Sequence, residues 1–148
     1  MNRNGTMKLP VSASAFIFFS LLLFPAIFEV PFASETTPDC SIHATSCTKP
    51  VGDRMVELDI HPKPVTAMQD LTFRVSVTGG AIAQIPYIDL GMPGMHMGPN
   101  HVELKQSAAM TYEGQGVIVR CPSGKRIWRA TVTLPAIGKA EFTFDVVY

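Results

Sequence analysis

The chain has 148 residues, and its 12 lysine and arginine residues balance its 12 aspartate and glutamate residues. Hydrophobic residues make up 47% of the sequence, and a chain of this length can bury one modest core. The balanced charge provides no basic surface for nucleic acid or for an anionic membrane, so we expect no nucleic-acid partner.

The amino-terminal 34 residues are predicted to be an export segment rather than part of the fold. Arg3 and Lys8 form a positively charged start, and the 20 residues from Leu9 to Phe28 carry no charge. This pattern is typical of a signal peptide, although such a segment is also long enough to span a bilayer. Residues 1–34 are therefore predicted to be a signal peptide or a membrane anchor. The remainder is expected to be exported, either periplasmic or anchored in the inner membrane and facing the periplasm.

Residues 35–54 are predicted to form an extended leader that contains cysteine and shows little periodicity. Cys40 and Cys47 lie in it, and the third cysteine of the chain is Cys121. Three cysteines in an exported protein indicate one disulfide and one unpaired thiol. We expect Cys47 to pair with Cys121, which would tie the leader to the domain, although the spacing leaves a pairing of Cys40 with Cys47 open.

From residue 55 onward, hydrophobic and polar residues alternate in short runs. The clearest runs cover residues 56–60 and 71–77, and the last covers 140–148. Alternation with a period of two predicts half-buried strands. Further strands are predicted at residues 82–90, 101–106, 116–120 and 127–134.

Turn signals rich in proline and glycine separate these strands, and no amphipathic helix is found between them. About seven alternating strands in about a hundred residues are typical of an antiparallel β-sandwich of the immunoglobulin-like type. We therefore predict an all-β protein with one such domain over residues 55–148.

The loop between the third and fourth predicted strands has an unusual composition. The 11 residues from Gly91 to His101 contain three of the eight methionines and two of the four histidines of the chain. Because proline and glycine make this segment a loop, its methionines are not the core stripe of a helix. Thioether and imidazole groups without a carboxylate or a cysteine favour Cu(I) over zinc, magnesium or calcium. The loop therefore predicts a Cu(I) site at one end of the sandwich, where loops carry function.

The predicted ligands are Met92, Met95 and Met97, completed by one histidine. Met95 and Met97 share one face of an extended segment, and the Pro-Gly turn can bring Met92 back beside them. His101 is the preferred imidazole because it stands at the start of the next strand, and His96 is the alternative.

Two further residues have both a metal-related and a structural interpretation. Asp89 lies inside an apolar run just before the loop, where it can orient a histidine or cap the strand end. Trp128 can lie over a bound ion or fill the core of the sandwich. The methionines also have a competing interpretation as flexible core fillers or as a docking patch for another protein.

Enzyme motifs are not found in the sequence. Ser123-Gly124-Lys125 lacks the flanking residues of a phosphate-binding loop, and no Gly-x-Ser-x-Gly elbow is present. Cys40, His43 and Cys47 match no strong zinc pattern, so a metal or redox site in the leader is the weaker hypothesis. We therefore expect that the protein is not an enzyme.

Four segments together resemble the FixH and YtkA-like domains. They are Leu90 to Gly98 with Asn100, then Val102-Glu103-Leu104, then Tyr112 to Gly116, and finally Gly124 with Trp128-Arg129-Ala130. The resemblance covers roughly residues 56–148, and it implies an exported or membrane-anchored immunoglobulin-like module linked to copper handling, including copper supply to respiratory oxidases. The chain departs from the pattern in its leader and in the loop Arg120 to Gly124.

The sequence thus predicts an exported copper-binding protein that carries, buffers or delivers Cu(I). A membrane oxidase or a copper transporter is the expected partner. The alternative is a metal-free accessory domain whose methionine loop docks on such a membrane protein.

Overall fold

A computed structural model of the chain describes residues 37–148, and the predicted signal or anchor segment lies outside these residues. The described chain forms nine β-strands and no helix, so it contains no helix that is long and apolar enough to cross a membrane. The strands are β1 (Cys47–Val51), β2 (Arg54–His61), β3 (Asp70–Thr78), β4 (Tyr87–Gly91), β5 (His101–Glu103), β6 (Lys105–Ala108), β7 (Thr111–Val117), β8 (Ile127–Leu134) and β9 (Gly138–Asp145).

The strands are arranged in two antiparallel sheets. The five-stranded sheet has the order β1-β2-β3-β7-β6, and the four-stranded sheet has the order β5-β4-β8-β9. The orders β2-β3-β7-β6 and β4-β8-β9 correspond to the ABED and CFG sheets of an immunoglobulin domain, with β1 and β5 as additional edge strands. The prediction of an all-β immunoglobulin-like sandwich is confirmed.

The core lies between the two sheets and is filled mainly by alternate residues of β2, β3, β4, β8 and β9. In β3 the side chains of Leu71, Phe73 and Val75 are fully buried, while the residues between them are half-buried or exposed. Trp128 is the largest fully buried side chain, and its indole N–H donates to the hydroxyl of Tyr148 at 3.4 Å. Trp128 is therefore a core residue, which is the structural interpretation that its position in a sandwich favours.

The edge strand β1 comes from the segment that the sequence assigns to the leader. It pairs antiparallel with β2 in a register that places Cys47 beside Leu58 and Val51 beside Arg54. Its sequence, CTKPV, has little hydrophobic alternation. Edge strands tolerate polar residues and proline because one side of the strand has no partner. The hydrophobic pattern alone therefore could not reveal this strand.

The predicted disulfide between Cys47 and Cys121 is wrong. The structure pairs Cys40 with Cys47, whose Cα atoms are 5.8 Å apart, and leaves Cys121 as a buried free cysteine. The leader makes a turn in which the N–H of Ala44 donates to the carbonyl of Ser41 at 2.9 Å, and this turn returns the chain to Cys40. Cys121 instead belongs to the connection that precedes β8 in the other sheet.

The leader is also attached to β9. The backbone N–H groups of Asp39 and Cys40 both donate to the carbonyl of Thr143, and the N–H of Thr143 donates to the Asp39 carboxylate at 2.9 Å. Lys49 forms an ion pair with the same carboxylate. Burial alone would raise the pKa of Asp39, but the Lys49 and Thr143 hydrogen bonds outweigh it and hold that pKa below its ordinary value.

The predicted strand 82–90 begins only at Tyr87, and two other predicted strands differ from the observed ones for one shared reason. The predicted strand 101–106 is split into β5 and β6, because the chain changes sheets at the buried Leu104. The predicted strand 116–120 lies instead at Thr111–Val117, where Gly114 and Gly116 allow this crossing chain to approach closely. Glycine within a strand often marks such an approach, and the predicted strand began only at Gly116.

Replacing Gly114 with alanine should destabilise the sandwich. The new Cβ would lie 2.2 Å from the carbonyl oxygen of Glu103 and 2.9 Å from Cγ1 of Val102. Since a backbone atom cannot move aside, we expect a loss of about 2 kcal/mol in the free energy of unfolding, measured by urea denaturation. Gly98→Ala is the matched control because its Cβ would meet no atom within 4 Å. Equal stability of the two variants would contradict this account.

Replacing Asp39 with asparagine should lower stability by about 0.5 kcal/mol at pH 7, because the ion pair with the part-exposed Lys49 is lost. The pKa of Asp39 is lowered by folding, so the stability it contributes is present above its ordinary value of 3.8 and is lost as the pH falls through its folded value. The stability difference between wild type and Asp39→Asn should therefore vanish in acid. A difference that stays constant between pH 7 and pH 2.5 would disprove the assignment.

Candidate metal centre

The methionine loop begins with a tight turn directly after β4. The backbone N–H of Met95 donates to the carbonyl of Met92 at 3.2 Å, and Gly94 between them has a φ of +70°. Proline at the second position and a positive φ at the third are the signature of a type II turn. The turn returns the chain so that Met92 and Met95 are neighbours, as the sequence predicts.

The three methionines differ in burial. Met92 is only 2% exposed and continues the inward alternation of Ile88 and Leu90. Met95 and Met97 are partly buried and pack against the core. Of the three thioethers at this end of the sandwich, one is therefore fully buried and two are partly accessible.

The two histidines of the loop do not share this side. His96 lies between Met95 and Met97 and is exposed, as expected for alternating residues of an extended segment. His101 is opposite Asp89 in the pairing of β4 with β5, and its Nδ1 contacts the Asp89 carboxylate. The imidazole of His101 is 55% exposed on the outward face of the sheet, whereas Met92 points inward.

The contact between Asp89 and His101 agrees with one of the two roles considered for Asp89, which was to orient a histidine. It also means that His101 is held on the outer face by its carboxylate partner. The structure therefore turns the chain back from Met92 to Met95 and packs Met95 and Met97 against the core, whereas both histidines of the predicted set are exposed.

A residue outside the predicted metal set lies beside the loop. The Sγ atom of Cys121 is 4.0 Å from the Sδ atom of Met95, and Cys121 is 5% exposed. The cause is the antiparallel pairing of β4 with β8, which sets Leu90 beside Ala130 and Gly91 beside Arg129. The loop after β4 and the connection before β8 must consequently meet at the same end of the sheet.

The sequence prediction did not place Cys121 beside the methionine loop, although a signal for this proximity exists. In an immunoglobulin sandwich the third and sixth strands of the seven-stranded set are adjacent, so the loops at their ends are adjacent too. Cys121 was instead predicted to form a disulfide with Cys47.

The thiol of Cys121 is held in a turn. Its Sγ lies 3.0 Å from the hydroxyl oxygen of Ser123, and the N–H of Gly124 donates to the Cys121 carbonyl at 3.0 Å. The Ser123 hydrogen bond lowers the pKa of the Cys121 thiol; burial opposes this effect, and backbone groups together with the charge of Lys125 reinforce it. The thiolate, which is the form that binds metals, is thus more accessible than in an ordinary cysteine.

Tyr148 secures the connection that carries this cysteine. Its hydroxyl accepts the N–H of Cys121 at 3.1 Å and donates to the carbonyl of Lys125. The same hydroxyl receives the indole N–H of Trp128. The position of the Cys121 backbone is therefore tied to the buried core.

Within residues 37–148, no three or more histidine, cysteine, aspartate or glutamate side chains are grouped so that they could hold one metal ion. The donors that meet at the end of the sandwich are of another kind, namely thioether sulfur and one thiol. No family model, curated protein or solved structure matches this chain. The resemblance to FixH and YtkA-like domains is thus carried by the sequence segments alone.

Proposed function

We propose that this protein binds Cu(I) through Met92, Met95 and Met97 and carries, buffers or delivers copper outside the cytoplasm. The observation that supports this proposal most strongly is the type II turn that returns the chain from Met92 to Met95, together with the packing of Met95 and Met97 against the core. One loop at one end of the sandwich thereby carries three thioethers, and soft ligands of this kind select a soft monovalent ion.

The burial of the loop suits a carrier. Met92 anchors the loop in the core, while Met95 and Met97 remain partly accessible, so a bound ion could be passed to another protein. Thioethers are neutral and do not require deprotonation. The sulfur of each methionine therefore remains available as a ligand over a wide pH range.

The methionines rather than the histidines carry the proposal. His101 is engaged by Asp89 on the outer face, and His96 points away from Met95 and Met97. Either imidazole would join the ion only after the loop had rearranged. We therefore assign His96 and His101 a secondary role in the proposed site.

The export segment and the resemblance to FixH and YtkA-like domains support the rest of the proposal. A protein on the periplasmic side, free or anchored in the inner membrane, would meet a membrane oxidase or a copper transporter as its partner. The proposed role is transfer of an ion, so no catalytic residue is assigned.

A Cu(I) titration under anaerobic conditions against a competing chelator tests the proposal. The full chain should compete for Cu(I), and a triple variant with leucine at positions 92, 95 and 97 should bind at least about a hundredfold more weakly, equivalent to about 3 kcal/mol. Leucine preserves the hydrophobicity and approximate size of methionine but removes the sulfur. Met55→Leu is the matched control because Met55 is exposed at the start of β2, at the opposite end of the sandwich.

The competing proposal is a metal-free docking domain, and the burial of Met92 favours it, because a residue that is 2% exposed behaves as core. A docking loop depends on shape and hydrophobicity, so it should tolerate leucine at all three positions. If the wild-type chain does not compete for Cu(I), or if the triple variant competes as well as the wild type, the copper proposal fails.

A further inference from the structure

The proposed copper site leaves one soft donor at the same end of the sandwich unused. Cys121 lies on the connection before β8, outside the methionine loop, and its Sγ is 4.0 Å from the Sδ of Met95. The other two cysteines of the chain are joined to each other. Cys121 is therefore the one thiol that an oxidising compartment leaves unpaired within the chain.

We infer that Cys121 is a thiolate ligand of the Cu(I) site and binds the ion together with Met95, so that the site bridges two loops. This inference rests on the proposed function, namely that the methionine loop binds Cu(I). It adds a residue that changes the charge and the donor set of that site.

The distance between the two sulfurs fits a shared ion. Two ligand sulfurs, each about 2.3 Å from a metal ion and separated by about 120° at the metal, lie about 4 Å apart. Sγ of Cys121 and Sδ of Met95 already have that separation. Binding would therefore require little movement of either side chain, and Met92 or Met97 could supply a third sulfur.

The burial of the site argues for one anionic ligand. A set of three thioethers would leave the positive charge of Cu(I) uncompensated beside Cys121, which is 5% exposed. An uncompensated charge is costly in such surroundings. One thiolate neutralises it. When the copper–sulfur bond forms, the S–H proton leaves to solvent and copper remains Cu(I), so no oxidant or reductant is needed.

The surroundings of Cys121 are those of a fixed ligand. Its backbone N–H is held by Tyr148, its carbonyl by Gly124, and its sulfur lies 3.0 Å from the hydroxyl oxygen of Ser123. The Ser123 hydroxyl can donate to the thiolate. The rigid connection would thus present the sulfur, and the methionine loop would close over the ion.

The first test is the near-ultraviolet absorption of the full chain during addition of Cu(I) under anaerobic conditions. Ascorbate keeps the copper reduced and leaves the disulfide of Cys40 with Cys47 intact. Because no other cysteine is free, a thiolate-to-copper charge-transfer band that saturates at one equivalent reports Cys121. We expect this band in the wild type. Saturable binding without the band overturns the inference, and this outcome requires no variant.

Competition against the chelator then compares Cys121→Ser with the wild type. We expect Cu(I) affinity to fall at least about tenfold and the charge-transfer band to disappear, with unchanged affinity for Met55→Leu. Cys121→Met restores a sulfur but not the negative charge, so it should recover part of the affinity without the band. It also serves as the second variant if serine at this buried position prevents folding.

The outcomes separate the inference from the proposed function. If the wild type binds Cu(I), the triple leucine variant does not, and Cys121→Ser binds as tightly as the wild type, Cys121 is not a ligand but the methionine site stands. If the wild type fails to compete at all, the proposed function itself fails. If Met95→Leu weakens binding while the band persists, the shared ion is supported.

Discussion

The antiparallel pairing of β4 with β8 is the constraint on which the candidate site depends. It aligns the end of one strand with the start of the other, so the methionine loop and the connection containing Cys121 emerge side by side. Hydrogen bonds to Tyr148 hold that connection, and the type II turn at Met92 to Met95 folds the loop back against it. The Sγ of Cys121 and the Sδ of Met95 consequently lie 4.0 Å apart.

The leader affects the candidate site because it joins the other two cysteines of the chain to each other. Its own turn joins Cys40 to Cys47, and Asp39 secures the segment to β9 through Thr143. A local disulfide closes only a short loop, so it constrains the unfolded chain less than a long-range one would. Its consequence for the candidate site is chemical, because Cys121 remains a thiol beside Met95 rather than half of a disulfide.

Alternation and turn residues predicted the sandwich and the turn at Met92, because both depend on local patterns. The edge strand β1 could not be predicted in this way, since a polar edge strand has no hydrophobic signature. Gly114 was left outside the predicted strand because the sequence does not display the chain that crosses it. The position of Cys121 beside Met95 required the strand order of the two sheets. The position of His101 could not be predicted either, because its pairing with Asp89 depends on the register between β4 and β5. This register puts the imidazole on the outer face.

X-ray absorption at the copper edge of the Cu(I)-loaded full chain tests the central claim most directly, because it identifies the atoms bound to the ion. The account predicts a first shell of sulfur atoms at about 2.3 Å, the usual length of metal–sulfur bonds in proteins. Two or three such neighbours, with no nitrogen or oxygen shell, would agree with a site built from the methionine loop and Cys121. A first shell dominated by nitrogen or oxygen at about 2.0 Å would contradict it.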